Sequence, residues 1–329
     1  MTPSPPLPLP RPTYYLLLTT YYSFNYSTKE LEIKIDGLSK IYNNGHRALH
    51  NINLEIETGM YGLLGPNGAG KSTLMRILVT LMMPSRGSVT VNGMDLKKHR
   101  GEVRAMLGYL PQDFRFFARL RTWEFLDYAA SLAGVTKTSV RRAAVEDMLD
   151  RVGLFDVRNR MASRLSGGMK RRLGIAQALI GDPKIIIIDE PTTGLDPEER
   201  IRFRNILSDL GQKEVIIILS THIVGDISST CRNMALLNKG EVVYAGAPDA
   251  LVDKSKGKVW QVNVTQEQFE RMKEEVHIIT SVPSLNGWDL EVVADSLNGL
   301  PAVPITPNLE HAYVYFVEYL VSKESGGRM

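Results

Sequence analysis

Leu31, Ile33 and Ile35 alternate with polar residues, as do Ile52, Leu54 and Ile56, and later Val89 and Val91 ahead of Asn92-Gly93. A period of two marks strands with one buried face, and the three together predict an antiparallel sheet layer. Between the second and third, residues 60–64 form a short apolar run that leads into Gly65-Pro66-Asn67-Gly68-Ala69-Gly70 and then into a helical stretch over 71–81. Over 122–160 the spacing becomes helical, through Trp123, Phe125, Leu126 and Tyr128 and then Val145, Met148, Leu149 and Val152. That predicts a helical insertion. Beyond it, 185–188 and 215–219 are apolar at every position, with a charged helical segment over 198–210 between them. Strands without alternation, joined by helices, are buried on both faces and predict a mostly parallel sheet in an α/β fold.

After residue 254 a smaller α+β unit follows: a strand over 258–264 and a helix capped by Thr265 that carries Phe269, Met272 and Val276. A hairpin of 276–282 with 288–293 turns about Asn286-Gly287, and a closing helix carries Leu309, Ala312, Tyr313, Phe316, Val317 and Leu320. This appendage holds no catalytic constellation. The expected organisation is a tail over 1–28, a main domain over 29–253 with a helical subdomain at about 113–168, and an accessory domain over 254–329.

The 329 residues carry 39 Lys plus Arg against 36 Asp plus Glu, a net charge of +3, with 43% hydrophobic residues. This balance demands no nucleic-acid partner. Cys231 is the only cysteine, which excludes an internal disulfide, a Cys-paired zinc site and a CxxC redox pair. The apolar runs at 185–188 and 215–219 are four and five residues long, far below the roughly 20 that span a bilayer. Residues 1–28 hold six prolines, several tyrosines and a single charge, Arg11. Only Leu16 to Leu18 run together, too short for the apolar core of a secretory signal. The stretch reads as a disordered tail or an extension outside the working protein, in preference to a membrane-seeking segment.

The chemistry starts at Gly65-Pro66-Asn67-Gly68-Ala69-Gly70-Lys71-Ser72, which fits the G-x-x-x-x-G-K-[ST] spacing. Glycines let the backbone curve so that its N–H groups point inward, and the helix that follows adds its positive end. Lys71 would reach the β- and γ-phosphates and Ser72 would offer its hydroxyl to Mg²⁺. A Gly-rich turn that merely joins strand to helix is the bland alternative. The 185–188 strand ends in Asp189-Glu190. Asp189 suits the metal and Glu190 suits orienting the attacking water, although a strand ending in solvated acids is common. Leu165-Ser166-Gly167-Gly168-Met169, ahead of a helix over 170–180, has the form of a second anion site. One chain needs only one γ-phosphate cradle, so a second suggests that two chains meet over the nucleotide; an ordinary helix cap is the alternative.

With these motifs in this order, residues 30–250 resemble an ATP-binding cassette (ABC) ATPase. The resemblance implies a P-loop NTPase fold with a RecA-like core, an antiparallel β layer and a helical subdomain, to which the small C-terminal α+β appendage is added. It implies ATP and Mg²⁺, with Gly65 to Thr73 on the phosphates and Ser166, Gly167 and Gly168 as the signature that completes the opposite chain's site. Four smaller elements match the family. Tyr42 lies where an aromatic ring stacks on adenine, and Gln112 stands at the Q-loop position that contacts metal and water. Asp196, in Gly194-Leu195-Asp196, corresponds to the loop along the dimer seam. His222, in Ser220-Thr221-His222, matches the switch histidine at the γ-phosphate. His46, His50, His99, His277 and His311 are expected to be structural, and Lys170-Arg171-Arg172 to be a solvated helix face, with contact to the partner as the alternative.

Met169 stands where glutamine is usual, and the run Leu165 to Arg172 is similar to a branch of separate ATPase subunits that serve ABC-2-type exporters in bacteria. The resemblance therefore implies an ATPase subunit at the cytoplasmic face of a membrane, working as a dimer with a separately encoded permease. Three rivals are weaker. A soluble ABC protein acting on ribosomes or nucleic acid would carry two cassettes or long coiled coils, and the chain has one phosphate loop and no sustained heptads. A silent cassette would lack one of Lys71, Asp189, Glu190 or His222, and an unrelated P-loop kinase would not explain Leu165 to Met169.

Overall fold

The computed structural model describes residues 31–114, 116–117, 119–211, 214–297 and 301–320, the last three of these as backbone only. The expected tail over 1–28 lies outside the described residues. The strands in chain order are β1 (Glu32–Ile41), β2 (Arg47–Glu57), β3 (Gly59–Leu64), β4 (Arg86–Val91), β5 (Met94–Asp95), β6 (Leu107–Leu110) and β7 (Ile185–Asp189). They continue as β8 (Ile216–Thr221), β9 (Asn233–Asn238), β10 (Glu241–Gly246), β11 (Val259–Val264), β12 (His277–Ser284), β13 (Gly287–Val293) and β14 (Ala302–Pro304). The helices are α1 (Lys71–Leu78), α2 (Arg100–Ala105), α3 (Thr122–Leu132), α4 (Thr138–Arg151) and α5 (Gly167–Leu179). After them come α6 (Pro197–Gly211), α7 (Val224–Ser228), α8 (Pro248–Lys254), α9 (Gln266–Glu275) and α10 (Leu309–Val314).

The alternating strands form an antiparallel sheet in the order β2-β1-β4-β5. The apolar runs 185–188 and 216–219 lie in β7 and β8, two central strands of a six-stranded sheet, β10-β9-β3-β8-β7-β6, parallel except for β10 at its edge. Their lack of alternation is explained by burial on both faces. Ile185 and Ile187 of β7, with Ile216 and Ile218 of β8, pack toward the antiparallel sheet and α1. Ile186, Ile188, Ile217 and Leu219 pack the other way, against α3, α4 and α5. Four adjacent strands of this sheet, β3, β8, β7 and β6, run in one direction. Their C-terminal ends therefore share one edge, where open α/β sheets bind ligands.

α1 stops at Leu78, short of the expected 81. Thr80 takes a left-handed backbone at φ +60, and its carbonyl accepts from Arg100 and Arg104 of α2. The C-terminal unit is a third sheet, β12-β13-β11-β14. α9, capped by Thr265, lays Phe269 on Trp288 with ring centres 4.5 Å apart. The closing helix is interrupted: α10 ends at Val314, and Tyr315–Leu320 widens into a π-helical turn. There Tyr315 packs on Val259 and Val293 of the third sheet, and Phe316 meets Tyr244 of β10. α10 buries Leu309 and Ala312 in the same core as Leu251 of α8 and Ile227 of α7.

Candidate functional site

β3 ends in the loop 65–70, which curves tightly around the start of α1. Gly70 has φ +104, and a Cβ there would sit 2.6 Å from the Ala48 carbonyl oxygen, so only glycine fits. At Gly68, by contrast, a Cβ would meet nothing within 4 Å, which leaves the mouth of the loop open. The first N–H groups of α1 have no intrahelical acceptor, and the loop presents them with the helix's positive end. Lys71 is buried and donates to the carbonyls of Gly65 at 2.6 Å and Pro66 at 3.1 Å. Such an open cradle of N–H groups with a cation at its base fits a polyphosphate.

The end of β7 lies beside this loop. Asp189 pairs across the sheet with Ser220 of β8, whose hydroxyl donates to Asp189 Oδ1 at 2.5 Å. The Ser72 hydroxyl reaches the same carboxylate at 3.4 Å. Among the described residues no group of three His, Cys, Asp or Glu could hold a metal. One carboxylate with one hydroxyl is instead the sparse, all-oxygen set that suits Mg²⁺ when phosphate oxygens and water complete its shell.

Glu190 is 5% exposed and sits at φ +50, a left-handed backbone that a non-glycine residue adopts at a cost of about 1–3 kcal/mol. Its N–H donates to the Ser220 hydroxyl and carbonyl, both at 3.1 Å. Its carboxylate collects three partners. Lys71 Nζ stands 3.3 Å from Oε1, His222 Nδ1 stands 2.5 Å from Oε2, and the Thr193 hydroxyl donates to Oε2 at 3.0 Å. Lys71, Ser72, Asp189, Glu190 and His222 are thus one connected group, although they lie up to 151 residues apart in sequence.

The other expected site residues take different places. Tyr42 is half-buried at the loop's rim, its hydroxyl 3.1 Å from the Thr73 hydroxyl. Its ring is stacked on His46 at 6.2 Å between centres. Gln112 is exposed just beyond β6. Asp196 is exposed and accepts from the Glu199 N–H at 2.8 Å, which caps α6. Ser166 caps α5 by accepting from the Met169 N–H at 3.2 Å. Gly167 follows with open space around its α-carbon, while a Cβ at Gly168 would meet the Glu199 side chain at 2.7 Å.

The solvated face expected of Lys170-Arg171-Arg172 does not form. Arg172 is buried, donates to the carbonyls of Val152 and Gly153 and pairs with Glu199 at 3.1 Å. Lys170 lies over the Phe116 ring at 5.4 Å. Arg171 turns inward among main-chain carbonyls at the end of β7. Burial pulls its pKa below the usual guanidinium value, and the neighbouring Asp189, Glu190 and Asp113 pull it back up. A charge run reads as solvated unless its acceptors are known, and these acceptors come from distant loops. Sequence reasoning also passed over Asp226. Its buried carboxylate accepts from Thr192 at 2.5 Å and Thr221 at 3.4 Å, tying the segment after Glu190 to the one before His222. Its position four residues beyond His222 is the only sequence signal for it.

Residues 49–193 match the family model described as ABC transporter. The chain is 36% identical over 212 residues to the ABC transporter ATP-binding protein NatA of Bacillus subtilis, covering 64% of this chain and 86% of NatA. It is 33% identical over 298 residues to the probable multidrug ABC transporter ATP-binding protein YbhF of Escherichia coli. That match covers 86% of this chain but only 51% of YbhF, so the chain spans about half of that relative's length. The dimeric structure of a bacterial ABC transporter cassette superposes with a TM-score of 0.60 at 26% identity, over 65% of this chain and 98% of that one.

Proposed function

The chain belongs to the ABC transporter family as an ATP-binding subunit, and from that premise we propose that it hydrolyses ATP to drive a separate transmembrane permease. The observation that carries this reading is the convergence of Lys71, His222 and Thr193 on the Glu190 carboxylate, beside the open loop at the end of β3. In the proposed mechanism the 65–73 loop binds the phosphates of ATP, Lys71 neutralises their charge, and Tyr42 lies against the adenine. Mg²⁺ held by Ser72 and Asp189, with Gln112 nearby, would neutralise charge on the β- and γ-phosphates. Glu190 orients the attacking water and accepts its proton, and His222, hydrogen-bonded to Glu190, faces the γ-phosphate side.

Two chains complete the site. Ser166, Gly167 and Gly168 of one chain close over the nucleotide of the other, with Asp196 along the seam. ATP binding would therefore close the dimer and hydrolysis would reopen it. Residues 29–253 form the ATPase domain, the segment 112–121 is the coupling surface, and 254–329 is an accessory domain. No helix among the described residues is long and apolar enough to cross a membrane. Attachment at the cytoplasmic face is therefore assigned to the permease. Export is the proposed direction, supported by the Leu165 to Arg172 run and by the multidrug description of YbhF.

The test is capture of partners on Glu190→Gln with ATP from detergent-solubilised native membranes. Recovery of a polytopic membrane protein is expected. Recovery of ribosomes or nucleic acid alone would keep the ATPase and overturn the transport reading.

A further inference from the structure

Arg171 lies one turn into α5 and makes contacts of an unusual kind. Its Nη1 donates to the carbonyls of Pro111 at 3.3 Å and Gln112 at 2.9 Å. Its Nη2 donates to those of Asp189 at 3.1 Å and Glu190 at 2.5 Å, and its Nε to that of Pro191 at 2.8 Å. A guanidinium has five N–H donors in a rigid planar fork. All five are used here, each on a main-chain oxygen, and none of the five residues is near Arg171 in sequence. One edge of the fork holds the segment that leaves β6, and the rest holds the three consecutive residues that leave β7. The middle one is Glu190, whose left-handed backbone must be held by its surroundings to persist. Such convergence of carbonyls places partial negative charge at one spot, and a buried cation compensates it.

We propose that Arg171 is a positioning residue for the hydrolytic step: it fixes the Glu190 backbone and ties its placement to that of the Gln112 segment, so that movement of one is felt by the other. The inference rests on the ATPase reading given above. Lysine cannot substitute, because three donors on one ammonium cannot serve acceptors spread over two segments. The fork meets Asp189 and Gln112 only through their main-chain oxygens, and neither the phosphate loop nor Tyr42 bonds to it, so nucleotide affinity should be spared while turnover is not.

The test compares the full-length wild type, Arg171→Lys, Arg171→Ala and Glu190→Gln in Mg·ATP turnover, equilibrium binding of a fluorescent ATP analogue, and thermal melting. Both Arg171 variants are expected to bind the analogue within about threefold of wild type and to turn over at least about tenfold more slowly. Added guanidinium should restore part of the Arg171→Ala turnover, and ammonium should not. Turnover of folded Arg171→Ala within about twofold of wild type, equal rescue by ammonium, or parallel loss of binding and turnover overturns the assignment. Should the variants melt below the assay temperature, amide exchange in the wild type decides. ATP must shift protection of 107–114 and 189–195 together, and a shift in one alone overturns the proposal. Wild-type turnover no faster than that of Glu190→Gln overturns the ATPase reading and this assignment with it. Turnover lost in Glu190→Gln but intact in both Arg171 variants overturns this assignment alone.

Discussion

Glu190 shows how the surroundings of one side chain decide its use. Its carboxylate is almost fully buried, yet it has a cation, an imidazole and a hydroxyl within hydrogen-bonding or ion-pairing reach. A buried charge persists only with such partners. The residue types at 71, 189, 190 and 222 were legible because each follows a strand end or a glycine loop in a recognisable order. Arg171 was not legible, since its five acceptors are main-chain atoms that carry no sequence signature. Cys231 is a contrasting case, a nucleophile that the fold disarms. Burial under β3 pushes its thiol up to about 11 from 9.0. The folded chain thus keeps a proton that the unfolded chain sheds above pH 9, so this contribution to stability is full below pH 9 and lost as pH rises toward 11. Native protein at pH 8 should resist iodoacetamide and react on unfolding, and Cys231→Ala should lose stability less steeply between pH 9 and 11. Rapid native alkylation would contradict the burial.

Among the elements, β7 and β8 were the easiest to read, because their apolar runs 185–188 and 216–219 have no polar position and have to be covered on both faces. The closing helix was harder. The pattern at Leu309, Ala312, Tyr313 and Phe316 fits one continuous helix, whereas the structure widens at Tyr315, where Tyr315 packs on the third sheet and Phe316 on Tyr244. The packing of α5 on β6 is set by Gly108, where a Cβ would lie 2.1 Å from the Ala178 carbonyl oxygen. That oxygen belongs to the backbone and cannot rotate away. Gly108→Ala should therefore push α5 off the sheet and cost about 1–3 kcal/mol in denaturant unfolding. It should also slow turnover, since α5 carries Arg171. An unchanged unfolding midpoint would show that the two elements are not held so closely.

In the molecule as a whole, one parallel sheet brings the ends of β3, β8, β7 and β6 to a common edge, and the phosphate loop, the paired acids and the histidine follow from that arrangement. In the same chain Ser166 of the signature caps α5, and the proposed use of the signature over a nucleotide is what calls for a second chain. Sequence suggests two chains because one nucleotide needs only one phosphate cradle. The most direct test of the central claim is Mg·ATP turnover of wild type and Glu190→Gln, with molecular mass followed by light scattering in the same samples. Glu190→Gln should bind ATP, turn over about 10²–10⁴-fold more slowly and accumulate at twice the monomer mass, while wild type turns over and returns to monomer. Wild-type rates in the variant, or a variant that stays monomeric with ATP bound, would contradict the account.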